Sequence, residues 1–176
     1  PSGSSCLYYE LSAGGIVGYN DGTIQNCKSY YYGEIFVEKI INYYIGALAG
    51  RNVSQIINSF SDCYICFNGN LPNINYTYGF STTVYCSYYG CLYFGGIAAI
   101  NDTGGEIINS KVNLHGTNNI TINNPNTVKR ISAITARWHG NVNGCFYNSN
   151  FDLGYNVSAT ESEELLFPYS ICIRYA

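Results

Sequence analysis

Cys63 and Cys66, followed by Cys86 and Cys91, are the residues whose types and spacing come nearest to a chemical site. Four thiolates set as a close pair and a more distant pair could hold a tetrahedral zinc ion. The residues around them lack the basic side chains and turn glycines of a zinc knuckle, however. The total of eight cysteines, an even number, fits disulfides made in an oxidising compartment better. On that reading Cys6 pairs with Cys27 and Cys145 with Cys172 at the two ends of the chain. Cys63, Cys66, Cys86 and Cys91 then pair among themselves, and spacing leaves their connectivity open.

Acid-base chemistry finds less to work with. Cleavage of a glycoside needs two carboxylates facing each other across the bond, and the chain has 11 acidic residues in all. Asp21 and Asp102 occupy equivalent positions in the repeats described below, with Val53 between them, which separates them by two repeats. His115 and His139 have no cysteine or acid partner at metal or triad spacing. The sequence therefore nominates no catalytic residue, metal ligand or cofactor, and a polysaccharide-degrading enzyme stands third among the functions considered.

Two further features could carry recognition. Five Asn-x-Ser/Thr sequons begin at Asn52, Asn75, Asn101, Asn119 and Asn156, of which Asn75, Asn119 and Asn156 stand in loop-like stretches and are the better acceptors of covalent glycans. Arg137-Trp138-His139 contains the single tryptophan. An indole flanked by polar groups can stack on a sugar ring, so Trp138 and Arg137 are candidate sugar contacts. The alternative is that Trp138 covers the end of a structural column.

The elements that must position these residues are repeats. Gly14-Gly15-Ile16-Val17-Gly18-Tyr19-Asn20-Asp21-Gly22-Thr23-Ile24-Gln25-Asn26-Cys27 returns without gaps at Gly46–Ser59 and again at Ser132–Cys145. A further copy runs from Gly95 to Ser110, with two extra residues in its turn before Glu106. Aligned, the copies give one aliphatic column of Ile16, Leu48, Ile97 and Ile134 and another of Ile24, Ile56, Ile107 and Val142. Each column sits on a short run with period-two character beside a polar turn, the pattern of strand-turn-strand. One copy cannot bury its apolar face. Copies stacked as parallel strands about 4.8 Å apart can. The expected fold is all-β: a right-handed parallel β-helix of about four irregular coils with inserted loops.

Asn20, Asn52 and Asn101 share one corner column, and Asn26, Asn58 and Asn109 another; asparagine tolerates left-handed turn geometry and can bond to its counterpart in the next coil. The positions flanking the first aliphatic column are small: Gly15 and Val17, Ala47 and Ala49, Gly96 and Ala98, Ala133 and Thr135. Strict alternation would place them on the opposite face of the strand. They are then either covered by another segment of this chain or form an assembly face for a neighbouring subunit.

The first copy resembles the GLUG repeat, a Gly-Gly-aliphatic-Val-Gly-x-Asn-x-Gly-x-Ile-x-Asn-Cys pattern of secreted and surface-anchored proteins. Residues 14–27 match it nearly throughout, whereas later copies carry Ala99, Ala136 and Trp138 where the pattern has Gly, Gly and Asn. The resemblance implies a β-helical stalk or adhesin-like region at the cell surface, and brings no catalytic residues with it.

Length and composition agree. The 176 residues suit one domain, with residues 1–13 as an N-terminal arm, 14–157 as coils and 158–176 as a C-terminal cap and strand. The cap would be a short helix entered through the capping box Thr160 and Glu163 and ended by Pro168. Charged residues are 11%, tyrosines number 19 and the net charge is -3. A surface so poor in charge and rich in tyrosine is expected to be glycosylated or packed against copies of itself. Nucleic acid would require a basic stripe, and no apolar run is long enough for a membrane-spanning helix. A start at Pro1 with neither initiator Met nor leader is what a mature exported form would show. The expectation is an extracellular structural glycoprotein that forms homo-oligomers or filaments. An adhesin or carbohydrate-binding module is the alternative.

Overall fold

The computed structural model describes residues 10–37, 42–71, 77–78, 84–85, 91–122 and 128–152. Among these all regular structure is β-strand. The first coil comprises β1 Glu10–Gly14, β2 Val17–Asn20, β3 Thr23–Gln25 and β4 Lys28–Val37. The second comprises β5 Asn42–Gly46, β6 Ala49–Asn52, β7 Gln55–Ile57 and β8 Phe60–Leu71. A short antiparallel ribbon follows, β9 Thr77–Tyr78 with β10 Val84–Tyr85. The third coil has β11 Cys91–Gly95, β12 Ala98–Asn101, β13 Glu106–Ile108 and β14 Lys111–Ile122. The fourth has β15 Val128–Ser132, β16 Thr135–Trp138, β17 Asn141–Asn143 and β18 Phe146–Asp152.

Equivalent strands of successive coils pair in parallel and form four four-stranded sheets, in the orders β1-β5-β11-β15, β16-β12-β6-β2, β17-β13-β7-β3 and β18-β14-β8-β4. This is a parallel β-helix of four coils. The register follows the sequence repeat residue for residue: Gly14, Gly46, Gly95 and Ser132 are partners, as are Ile24, Ile56, Ile107 and Val142. The two extra residues of the third copy are absorbed by the turn Asp102–Gly105, closed by Gly105 N–H to the Asp102 carbonyl at 2.8 Å, with Gly104 at φ +86°. Residues 158–176, for which a capping helix and strand were expected, lie outside the described residues.

The core is the column set. Leu48, Ile97 and Ile134 are buried, and so are Ile56 and Ile107 beside them. From the long fourth-sheet strands, Cys63, Ile65, Phe67, Val112 and Leu114 point into the same cluster, with Phe67 set edge-on against Phe94 of the first sheet at 5.2 Å. The fourth-sheet strands run further than their sequence suggests. Asn68 to Leu71, rich in turn-forming Asn and Gly, continues β8, and the polar stretch Gly116 to Ile122 continues β14. Each of these strands contains a glycine with positive φ, Gly69 at +131° and Gly116 at +132°. A Cβ on Gly116 would stand 1.9 Å from the Ile65 carbonyl oxygen. This glycine is therefore required by the close approach of the neighbouring coil.

The small residues are not an outer face. Ala47, Ala49, Ala98, Ala133 and Thr135 are buried, and Ala47, Ala49 and Ala98 belong to the same apolar cluster as Leu48 and Ile97, with Val17 packed against it. A Cβ on Gly15 would strike the Ala47 carbonyl and Ser29 Oγ, and one on Gly96 the Ala133 carbonyl and Val112. Strict alternation fails because the stretch is not one strand. The chain bends at Gly15-Ile16, Ala47-Leu48, Gly96-Ile97 and Ala133-Ile134, between the first and second sheets. Consecutive residues at a bend can all face inward. The column is small because the long fourth-sheet strands cross close beneath it, where Ser61 Oγ donates to the Gly96 carbonyl.

Candidate functional site

The corner asparagines are ladders. Asn20 Nδ2 donates to Asn52 Oδ1 at 2.6 Å, and Asn52 Nδ2 to Asn101 Oδ1 at 2.7 Å. The same amides donate to backbone carbonyls, Asn52 to Ser54 at 2.9 Å and Asn101 to Asn141 at 3.1 Å. Asn52 and Asn101 are fully buried, so neither sequon can accept a glycan in the folded chain, which corrects that expectation. Asn119 lies within β14 and not in a loop; Asn75 and Asn156 lie outside the described residues. The second column supplies left-handed geometry: Asn26, Asn58 and Asn109 have φ of 54°, 49° and 49°, and the fourth coil uses Gly144 at 62°.

Beside that corner runs a hydroxyl and thiol column that the sequence reading missed. Ser59 Oγ accepts from the Cys27 N–H at 3.3 Å and donates to the Ile57 carbonyl at 2.9 Å; Ser110 repeats this with the Ser59 N–H and Ile108. Cys27 and Cys145 hold the same place in the outer coils, and their thiols bond to the carbonyls of Gln25 and Asn143. The dipeptides after the second aliphatic column, Asn26-Cys27, Asn58-Ser59, Asn109-Ser110 and Gly144-Cys145, were the available signal.

The five described cysteines, Cys27, Cys63, Cys66, Cys91 and Cys145, are free thiols. Cys63 faces the core from β8, while Cys66, three residues on, faces outward. An odd separation on one strand puts the two sulfurs on opposite faces, so Cys63 and Cys66 neither pair with each other nor bind one metal. Burial pushes the Cys63 and Cys91 thiols up to about 12, which makes both inert at neutral pH. Cys6, Cys86 and Cys172 lie outside the described residues.

Among the described residues no three His, Cys, Asp or Glu side chains gather into a group that could hold a metal ion. Asp102 is bound by Arg51, whose Nε donates at 3.0 Å. Burial raises the Asp102 carboxyl, but the Arg51 bond, the Thr103 N–H and the charges of Arg51 and His139 together hold it below the usual value. His115 Nδ1 bonds Asn150, and Arg137 Nε donates to His139 Nε2 at 3.1 Å. Trp138 takes the ladder position above Asn101. Its indole N–H is buried without a partner among the described residues, and the residue is half-buried, so the ring is half-covered structure rather than an open platform.

An outer surface remains in the broad face of the fourth sheet, with strands of up to 12 residues, about 40 Å by about 14 Å at ordinary strand spacings. Its outward columns are Tyr30, Asp62, Asn113 and Asn148, and Tyr32, Tyr64, His115 and Asn150. Tyr30 and Tyr32 are 61% and 67% exposed. Asp62 couples to Tyr32 by charge and hydrogen bond, which raises the phenol. At the corner between the first two sheets, buried Tyr44, Ala99 and Ile100 form an apolar cluster separate from the main core, with Cys91 and Tyr93 against it.

No family model matches the chain, nor does any curated protein or solved structure. The likeness of residues 14–27 to the GLUG repeat therefore rests on those residues alone.

Proposed function

We propose that this chain is a non-catalytic structural module of an extracellular surface protein, a subunit of an appendage or fibril that lengthens by stacking coil on coil with further copies of itself. The observation that carries this is the open end of the first coil. Leu11 and Ile16 are 44% and 41% exposed, while their column partners Tyr43, Leu92, Leu48, Ile97 and Ile134 are all buried. Among the described residues the strands β1 to β4 and β15 to β18 are the edges of the four sheets, and unpaired parallel edges invite addition. A second copy laid on this end would extend both the aliphatic columns and the four ladders. Covering the exposed halves of Leu11 and Ile16 contributes on the order of 2 kcal/mol per joint. A head-to-tail contact of this kind does not close on itself, so it propagates into a fibre.

Sedimentation velocity with negative-stain microscopy tests it. Filaments with a regular axial repeat, lost in Ile16→Lys, are expected. A monodisperse monomer at high concentration that behaves the same with and without Ile16→Lys would overturn the reading.

The outer face of the fourth sheet favours a second reading, an adhesin or carbohydrate-binding module. Exposed Tyr30, Tyr32 and Tyr64 offer ring faces, and Asn113, Asn148, Asn150 and His115 offer hydrogen bonds at a strand-to-strand repeat, the combination that holds a neutral sugar chain. Binding on a glycan array lost in Tyr32→Ala and retained in Trp138→Ala would support this face. Loss in Trp138→Ala alone would return the site to the Arg137-Trp138 corner.

A further inference from the structure

The outer face of the fourth sheet gathers most of the large apolar side chains that the described residues leave exposed. Strand alternation turns Tyr30, Tyr32 and Phe36 outward from β4 and Tyr64 outward from β8, and Phe146 stands outward at the start of β18. These five are between 47% and 67% exposed. Tyr30 lies edge-on against Phe60 of the next coil, with ring centres 6.1 Å apart and 69° between the planes, so the outer rings pack on one another across coils. Single exposed apolar residues are ordinary on a protein surface, whereas a cluster on one flat sheet face marks an interaction site.

The charges on this face are sorted along the strands. Lys28 and Lys111 share the outward column at the strand starts, with Phe60 between them, and Glu34 stands further along β4 in the column of Cys66 and Thr117. Glu34 accepts from Asn68 of the next coil. Among the described residues neither lysine nor Glu34 takes part in an ion pair, the one found there being Arg51 with Asp102. A two-fold axis parallel to the direction of stacking, lying in the plane of the face between the Tyr30 and Tyr32 columns, lays one sheet on another with strands reversed and coils level. Lys28 of each copy then stands opposite Glu34 of the other, Tyr30 opposite Tyr32, and Asn113 opposite His115. No like charges are opposed.

We infer that a second copy of this chain packs face to face on the fourth sheet about this axis, with the tyrosine columns at the centre of the contact and two ion pairs between Lys28 and Glu34 at its margins. Such a contact is isologous and closes on itself as a dimer, with the two sheets about 10 Å apart. A face of about 40 Å by about 14 Å on each copy buries about 1,100 Å² in total, just above the roughly 1,000 Å² of a specific interface. The pair is therefore a weak one, dissociating in the micromolar range. A neutral sugar chain would use the rings but not the separation of Lys28 from Glu34, which favours the second copy as occupant. The axis runs along the stack, so the coil ends of both copies stay free. The contact is independent of the end-to-end joint and holds whether or not that joint forms.

Sedimentation velocity of the full chain carrying Ile16→Lys, over a range of concentrations, reads this contact with the coil-end joint blocked; Leu11→Lys serves the same purpose if Ile16→Lys fails to fold. A monomer–dimer equilibrium is expected. Adding Lys28→Glu sets like charges opposite each other twice and should weaken the dimer about tenfold or more. Adding Glu34→Lys as well exchanges the two charges and should restore it. Both positions are exposed, so neither change threatens the fold. A monomer at every concentration, a dimer that Lys28→Glu leaves unchanged, or a loss that Glu34→Lys does not reverse would each overturn the inference. A monomer that instead binds cellohexaose, and loses that binding in Tyr32→Ala, would overturn it by giving the face to a sugar chain.

Discussion

Replacing Asn52 by Leu probes the organising column directly. The wild-type side chain accepts from Asn20 at 2.6 Å and donates to Asn101 at 2.7 Å and to the Ser54 carbonyl at 2.9 Å, in a site with no solvent exposure. Leucine is close in volume, so the cavity term is small and the polar term dominates. Three hydrogen bonds are lost, each worth about 1 kcal/mol net, and Asn101 Oδ1 is left buried without that donor, at about 1–3 kcal/mol. The sum is about 4–6 kcal/mol. For a chain of this size that lowers Tm by roughly 10–20 °C. Asn52→Asp should be comparably destabilised, because it keeps the acceptor for Asn20 but loses both donations and buries a carboxylate. Thermal unfolding followed by far-UV circular dichroism, with urea titration at 25 °C, measures both. A Tm within 3 °C of the parent for Asn52→Leu would refute the ladder as a source of stability. An intact mass showing hexosamine on Asn52 in folded protein would refute its burial.

Three further outcomes follow from the same geometry. Asn58→Gly should change stability by less than about 0.5 kcal/mol, since the fourth coil already uses Gly144 at this corner, whereas Asn58→Val should cost about 2 kcal/mol for its φ of 49°; urea midpoints decide. Gly116→Ala places a methyl 1.9 Å from the Ile65 carbonyl oxygen at φ +132° and should destabilise by at least about 2 kcal/mol, or fail to give soluble protein. The Cys63 and Cys91 thiols are pushed by burial from 9.0 up to about 12. A raised folded value means that their contribution is fully present below pH 9 and is lost as pH rises toward 12. Stability measured from pH 8 to 11 should fall accordingly and fall less in Cys63→Ala. Folded protein at pH 8 should leave both thiols unlabelled by iodoacetamide, while Cys66, on the outer face, reacts.

Much of the fold was legible because the repeat is a register. The partners of Ile24, Asn20 and Asn26 in the next coils are the residues that sequence alignment set beneath them, and the three non-glycine residues with positive φ are the second asparagine column. What was not legible depended on where strands end. Period-two reasoning carried Gly15-Ile16-Val17 through as one strand, and a bend two residues long turned a supposed outer face into core. Polar composition hid the length of β8 and β14, whose Asn- and Gly-containing ends pair with the neighbouring coil all the same. The cysteines misled for a different reason: Cys27 and Cys145 fill a place that Ser59 and Ser110 fill equally well, a role set by hydrogen bonding that cysteine counting does not see.

The inward columns repeat because each coil presents the next with the same surface to bury, so a change in one coil is penalised by its neighbours. Outward columns carry no such constraint, and that is where this chain departs from its own pattern. The outward first-sheet column reads Ser12, Tyr44, Tyr93, Arg130, and the second-sheet column reads Tyr19, Arg51, Ile100, Arg137. The second changes at every coil and the first at all but one step, Tyr44 to Tyr93, and both end in arginine on the fourth. The same coil replaces the ladder asparagine with Trp138, whose indole N–H finds no partner. Ladder stability alone would favour asparagine there, because it would satisfy Asn101 as Asn52 satisfies Asn20. Arg130, Arg137 and Trp138 are thus three positions at which the fourth coil departs from the pattern of the coil it pairs with.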